Sequence, residues 1–342
     1  MTDLKTLKLI DLEEMSSYIK KVGVENLIEK LIPYLESDYR DWEKFTKMPR
    51  PTHHSEVGVN ELMLIGNREN YSVKYVNGHP INPSRNLLTV IGMGLFADVE
   101  TGYPKMICEM TLLTAIRTAA TSVMAAKYLA RANSKKMALI GNGCQSEFQA
   151  IGFHKVLGIE EINVFDIDEA ATDKLIDNLS RFKDLKVNKC TGVAEACEGV
   201  DIVTTVTADK KFATILTKNM IEEGMHLNCV GGDCPGKTEL DSQILYMGDV
   251  YVELEEQSRI EGEIQHMPDD FEVTEITNVI KTKKPIDRKD SDITIFDSVG
   301  FAIEDYSILR MIYEIAKEED LGKEISMVPV LDDPKNLYGL IK

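Results

Sequence analysis

The 342-residue chain is predicted to be an α/β protein of two domains. One is a parallel sheet with crossover helices that binds a dinucleotide; the other is an α+β domain. Three observations carry this prediction. Strand and helix patterns alternate regularly from residue 137 onward. Residues 137–150, MALIGNGCQSEFQA, pass from an apolar strand through a Gly-rich turn into a helix. Residues 52–110 instead form a succession of short runs rich in β-branched and aromatic side chains.

In chain order, residues 11–45 carry two amphipathic helical patterns separated near Gly23. Leu27, Ile28, Leu31, Ile32 and Leu35 form the apolar stripe of the second. The strands NELMLIG, YSVKYVNG and the long run from Asn86 to Met110 follow, with a hairpin signal at Glu100-Thr101-Gly102. Residues 111–130 are Ala-rich and helical, with Thr111 or Thr114 placed to cap them, and connect to the nucleotide domain. Strands are then expected at 137–141, 162–166, 186–190, 201–206, 226–231, 249–252 and 293–296, and a long helix at 302–318. Residues 281–292 read as a charged, solvated loop, and the tail after Leu321 as packing back on the first domain.

Composition narrows the function. A net charge of −18 argues against a nucleic-acid or anionic-membrane surface. No apolar run approaches the roughly 20 residues that span a bilayer, and the N-terminal stretch is charged throughout. The six cysteines form no C-x-x-C pair, so reduced thiols in a cytoplasm are expected and no metal site.

The turn carries the first chemistry. Gly141, Gly143 and Ser146 occupy the three positions of a dinucleotide fingerprint. Gly141 permits the sharp exit from the strand, Gly143 leaves room for a pyrophosphate, and the small Ser146 allows helix and strand to pack closely. G-x-G-x-x-S alone also describes an ordinary turn. The next apolar run, however, ends at Asp166, 25 residues after Gly141. A carboxylate there accepts from ribose hydroxyls and repels a 2′-phosphate, which selects NAD over NADP.

Lys74 within a strand, Arg117 in the Ala-rich helix and Arg50 before Pro51 are oddly placed cations. Singly, each also fits an exposed or snorkelling side chain; together they can clamp a carboxylate. Glu61 fits either a strand-surface acid or an ammonium receptor. In NCVGGDCPGK, Gly231 and Gly232 let the backbone approach a ligand and Asp233 projects into the cleft, although Asp is also common in turns. Residues 297–302 form a third loop after a strand, readable equally as a tight turn.

GHP (78–80), RNLLTV (85–90), GYP (102–104), AIRTAAT (115–121), IGNGCQSEFQA, TTVTADK (204–210), HLNCVGGDCPGKTEL, RIEGEIQ and FDSVGFAIEDY together resemble the ornithine cyclodeaminase/μ-crystallin family, over nearly the whole chain. SEVGVNELM with KYVNGHP resembles its cyclodeaminase branch.

The resemblance implies a Rossmann domain (116–319), a substrate-binding and dimerisation domain (1–115 with 320–342), and a homodimer. It also implies that Arg50, Lys74 and Arg117 hold a substrate carboxylate, Glu61 meets a distal amino group, Asp233 is the catalytic acid/base and Val299 lines the pocket. NAD would be contacted by Gly141, Gly143, Cys144, Gln145, Asp166, Thr207, Val230, Gly231, Gly232, Lys237 and Ser298, with Thr89 and Arg117 reaching it from the other domain. Cys144 stands at a variable position where a backbone donor suffices. The implied reaction is conversion of L-ornithine to L-proline and ammonia without net redox change. Three alternatives stay open: a cyclic-ketimine reductase or amino-acid dehydrogenase of the family, lysine cyclisation, and a non-catalytic nucleotide-binding protein.

Overall fold

The computed structural model describes residues 6–208 and 214–342. The chain opens with strand β1 (Leu7–Ile10) and helices α1 (Leu12–Val22) and α2 (Val24–Arg40). Asp11 and Glu14 form a capping box that starts α1. Gly23, at φ +86°, turns the chain into α2, whose Leu27–Leu35 stripe is buried as the spacing predicts.

Strands β2 (Thr52–Ser55), β3 (Gly58–Gly66), β4 (Asn70–Gly78), β5 (Gly92–Asp98) and β6 (Pro104–Glu109) then form an antiparallel meander. Helix α3 (Thr111–Leu129) leads out of it. Its cap differs from expectation. Neither Thr111 nor Thr114 caps it; the Glu109 carboxylate accepts from the Thr111 and Leu112 N–H groups, and the Thr111 hydroxyl instead accepts from Gly92 N.

The second half supplies β7 (Lys136–Ile140), α4 (Ser146–Gly152), β8 (Glu161–Phe165), α5 (Glu169–Leu179), β9 (Lys186–Lys189), α6 (Val193–Cys197), β10 (Ile202–Thr205), β11 (His226–Cys229), β12 (Asp249–Val252), α7 (Glu255–Glu261), β13 (Thr274–Glu275), α8 (Ile276–Ile280), β14 (Thr294–Asp297), α9 (Ala302–Glu318) and β15 (Lys323–Ile325). The eight strands β7–β14 make one parallel sheet, ordered β13-β12-β14-β11-β10-β7-β8-β9. β10, β11 and β14 are buried along their whole length, as parallel strands covered on both faces must be. The order reverses between β7 and β10, so the Gly141 turn sits at the switch point, where open α/β sheets bind ligands.

The first sheet runs β15-β1-β6-β5-β4-β3-β2. The tail packs back as expected, β15 pairing antiparallel with β1. Helix α9, the long helix expected at 302–318, lies across β3, β4, β5 and β6 of the first sheet and against α2 and α3. Ile308, Leu309, Ile312 and Ile315 form its buried face, and Gly94 admits it: a Cβ there would stand 2.9 Å from Leu309. The β3–β4 register sets Lys74 opposite Met63, so Glu61, Met63 and Lys74 share the inward, buried face. A buried lysine thereby faces a helix that begins with two acids.

Candidate active site

The carboxyl ends of β7, β8, β10, β11, β12 and β14 lie side by side, and the loops leaving them carry most of the expected residues. At the end of β7, Gly141 takes φ +93°, and a Cβ on it would stand 2.8 Å from the Val206 carbonyl. The Ser146 hydroxyl donates back to the Gly141 carbonyl at 2.7 Å, closing the turn against the helix. Around Gly143 there is open space within 4 Å of the Cβ position. Cys144 is exposed. The Gln145 Oε1 and Asn142 Oδ1 atoms are buried without a partner.

At the end of β8, Asp166 is oriented by two backbone donors, Asn142 N at 2.6 Å and Asp168 N at 2.8 Å. Ile167 beside it is 95% exposed. An open glycine turn, orphaned polar atoms, a fixed carboxylate and an exposed apolar side chain together fit a dinucleotide.

The loop after β11 is fitted as closely as the turn after β7. A Cβ on Gly231 would stand 2.1 Å from the Glu239 carboxylate, and one on Gly232 2.4 Å from Glu263. Glu239 accepts from both the N–H and the hydroxyl of Thr207. Lys237 Nζ donates to the Thr207 carbonyl at 2.9 Å and to Asp233 Oδ1 at 3.2 Å. Thus Val230–Lys237 is tied to the end of β10, and Asp233 is left with its side chain 51% exposed. The motif TTVTADK ends at Asp209 and Lys210, which lie outside the described residues.

The cations converge as expected, but each already holds an acid. Arg50 donates through Nε to Glu261 at 2.7 Å and lies 3.4 Å from Glu61. Its Nη2 reaches the Asp233 carbonyl at 3.1 Å and the Val299 carbonyl at 3.2 Å. Lys74 Nζ meets Asp305 at 2.7 Å; Arg117 pairs with the same carboxylate at 3.2 Å and with Glu304 at 2.6 Å. A Cβ on Gly300 would stand 2.6 Å from Arg117 Nη1, so residues 298–301 run between Arg50 and Arg117. Thr89 lies apart from this cluster, in the β4–β5 connection, where its carbonyl accepts from His79 N at 2.9 Å.

Burial sets the electrostatics. It drives Lys74 down to about 8, helped by the Arg117 charge and opposed by Asp305. Burial also raises Glu61 and Glu261 above the ordinary carboxylate range, against the pull of Arg50. Burial opposes the charge of Arg50 as well, yet Glu261 and Glu61 hold it above its usual value. Three cations face four carboxylates, Glu61, Glu261, Glu304 and Asp305. Such a site suits a ligand with one carboxylate and more than one amino group.

Sequence reading missed Glu261, Glu304 and Asp305 as members of this site. The available signal was a pair of acids in α9 flanked by the core residues Ile303, Tyr306, Ile308 and Leu309. It also missed Glu253, which is completely buried after β12 and accepts from Ser298 and its neighbours. Burial followed by the Glu304 charge pushes Glu253 up to about 8, and burial pushes Asp297 up to about 7.

The sequence model of the ornithine cyclodeaminase/mu-crystallin family matches residues 12–320. An ornithine cyclodeaminase of Brucella suis is 48% identical over 340 residues, 99% of this chain and 94% of the relative. A solved lysine cyclodeaminase, described as recognising L-lysine, L-ornithine and L-2,4-diaminobutyric acid, superimposes with a TM-score of 0.90 at 27% identity, covering 98% of this chain and 99% of the other. An archaeal alanine dehydrogenase dimer with bound NAD gives 0.85 at 30% identity, covering 94% and 100%.

Proposed function

The chain belongs to the ornithine cyclodeaminase/mu-crystallin family, and on that premise we propose that it converts L-ornithine to L-proline and ammonia with NAD. The observation that carries the proposal is the buried meeting of Arg50, Lys74 and Arg117 with an excess of acids beside Asp233. NAD, held by the Gly141–Gln145 turn and Asp166, supplies a reversible hydride acceptor.

The chain's own groups do the rest. Lys74 has donors beyond the one directed at Asp305, and the forks of Arg117 and Arg50 likewise exceed their acids, so the three grip the substrate α-carboxylate. Asp233 takes the proton of the α-ammonium, leaving a nitrogen lone pair to stabilise positive charge developing at Cα. Glu61 accepts a proton from the distal ammonium. The freed amine, tethered by the substrate's own chain, closes a five-membered ring on Cα; such intramolecular delivery is entropically easy. Asp233 returns its proton as ammonia leaves. Val299, buried at the cleft wall, excludes water while the cyclic imine is held for reduction. Thr207, Lys237 and Ser298 frame the nucleotide side, and Thr89 and Cys144 contribute at its margins.

A homodimer is part of the same reading. The first sheet buries one face under α9 and leaves Leu62, Tyr71 and Met93 exposed on the other, an apolar surface suited to a second copy. The cytoplasm is the proposed compartment, in keeping with six free cysteines.

Ornithine supplied with NAD+ far below its own concentration tests the activity. Proline and ammonia are expected in equal amounts, with many turnovers per NAD and no accumulated NADH. NADH rising in step with an oxo or imino product would make the protein a conventional dehydrogenase.

A further inference from the structure

Glu253 is completely buried, and one short loop sends three donors to its carboxyl group. Ser298 Oγ donates to Oε1 at 2.6 Å, and Gly300 N donates to the same oxygen at 3.2 Å. Val299 N donates to Oε2 at 3.3 Å. That loop is also where the two halves of the site meet. The Val299 carbonyl accepts from Arg50, Gly300 lies against the Arg117 guanidinium at φ +75°, and Phe301 packs on Trp42 with ring centroids 5.4 Å apart. Gln257 secures the Gly300 carbonyl at 2.9 Å.

We propose that Glu253 is a positioning residue for the reaction: one buried carboxylate that fixes residues 298–300 so that Arg50 and Arg117 face the substrate in register with the nucleotide side at Ser298. The inference rests on the proposed function only in taking those groups as the substrate and cofactor walls. The chemistry explains the choice of glutamate. Three donors converge on two oxygens, which matches the ionised form, whose oxygens only accept. Burial and the Glu304 charge raise Glu253 to about 8 while the Ser298 hydroxyl pulls the other way, so the loop is held most firmly above that pH. Glutamine has the same shape, but its NH2 group would face a donor, Val299 N or the Ser298–Gly300 pair, so at least one contact is lost.

The test is Glu253→Gln with Ser298→Ala beside it. Trp42 is the chain's single tryptophan, so its fluorescence reports on the loop through Phe301 without any reaction. Glu253→Gln should fold, raise KM for ornithine at saturating NAD by about tenfold with a smaller change in kcat, and make Trp42 more accessible to a neutral quencher. Ser298→Ala, which removes one donor of the three, should move KM and quenching in the same direction by less. The double variant should fall short of the product of the two effects, because both act through one carboxylate.

A folded Glu253→Gln protein with wild-type KM, NAD affinity and quenching overturns the proposal, and so does a lowered Tm with unchanged constants. Should the glutamine variant not fold, unchanged KM and quenching in Ser298→Ala overturn it. If the wild type makes no proline, the functional reading fails instead, while quenching and NAD titration still decide the role of Glu253.

Discussion

Asp233→Asn is expected to lower kcat by roughly a thousandfold, the range for losing a positioned acid/base, while leaving NAD affinity and Tm close to wild type. The expectation follows from how the loop is held. Gly231 and Gly232 are pressed against Glu239 and Glu263, and Lys237 ties the loop to Thr207. None of these restraints needs the Asp233 side chain except its contact with Lys237 at 3.2 Å, which the amide oxygen of asparagine can reproduce. Asparagine therefore keeps the shape of the site but cannot take a proton from the α-ammonium. Single-turnover kinetics with direct NAD titration checks this. A variant with near wild-type kcat would remove Asp233 from the acid/base role.

Lys74→Met is expected to separate function from stability. Lys74 is fully buried, so its charge is desolvated, and burial together with Arg117 holds its pKa down to about 8. The sign follows from linkage. Between about pH 8 and the unfolded value near 10.5 the folded state binds fewer protons, so stability rises with pH across that window. Below about pH 8 the full cost of the buried charge is present.

Methionine removes that cost, and Asp305 is not orphaned because Arg117 stays 3.2 Å from it. Removing one member of a buried ion pair is costly when its partner is left uncompensated, but here Arg117 stays to neutralise Asp305, which limits that cost. At pH 7 the variant should thus stay folded with a Tm close to wild type, yet lose kcat/KM by about a hundredfold because the substrate carboxylate loses a charged donor. The wild-type kcat/KM should decline above about pH 8 as Lys74 gives up its proton, and the variant should lack that limb. Unchanged kcat/KM with a collapsed Tm would make Lys74 a structural cation only.

Much of this was legible in the chain itself. The parallel sheet showed because strands β7, β8, β10, β11 and β14 are apolar runs punctuated by turns, and Gly141, Gly143 and Asp166 kept their fingerprint spacing. Lys74 and Arg117 stood out as cations among apolar neighbours and Arg50 as one before Pro51; in the fold all three are buried and paired with acids.

The rest was hidden for physical reasons. Arg50 finds Glu261 across 211 residues of sequence, and Lys74 finds Asp305 across 231; no local pattern encodes such partners. An acid in a helix looks solvent-facing by default, so nothing local marks Glu304 and Asp305 as the buried residues they are. Helix α9 is likewise far from β3–β6 in sequence, and its apolar face meets them only in the folded chain.

The fate of the Cα hydrogen tests the central claim most directly. L-Ornithine deuterated at C2, turned over with unlabelled NAD+ far below substrate, should yield proline that still carries deuterium at C2, because the hydride removed from Cα returns to that carbon before the cleft opens. Mass spectrometry of the proline reads the answer. Proline without deuterium, or label accumulating in free NADH, would contradict a closed, redox-neutral cyclodeamination.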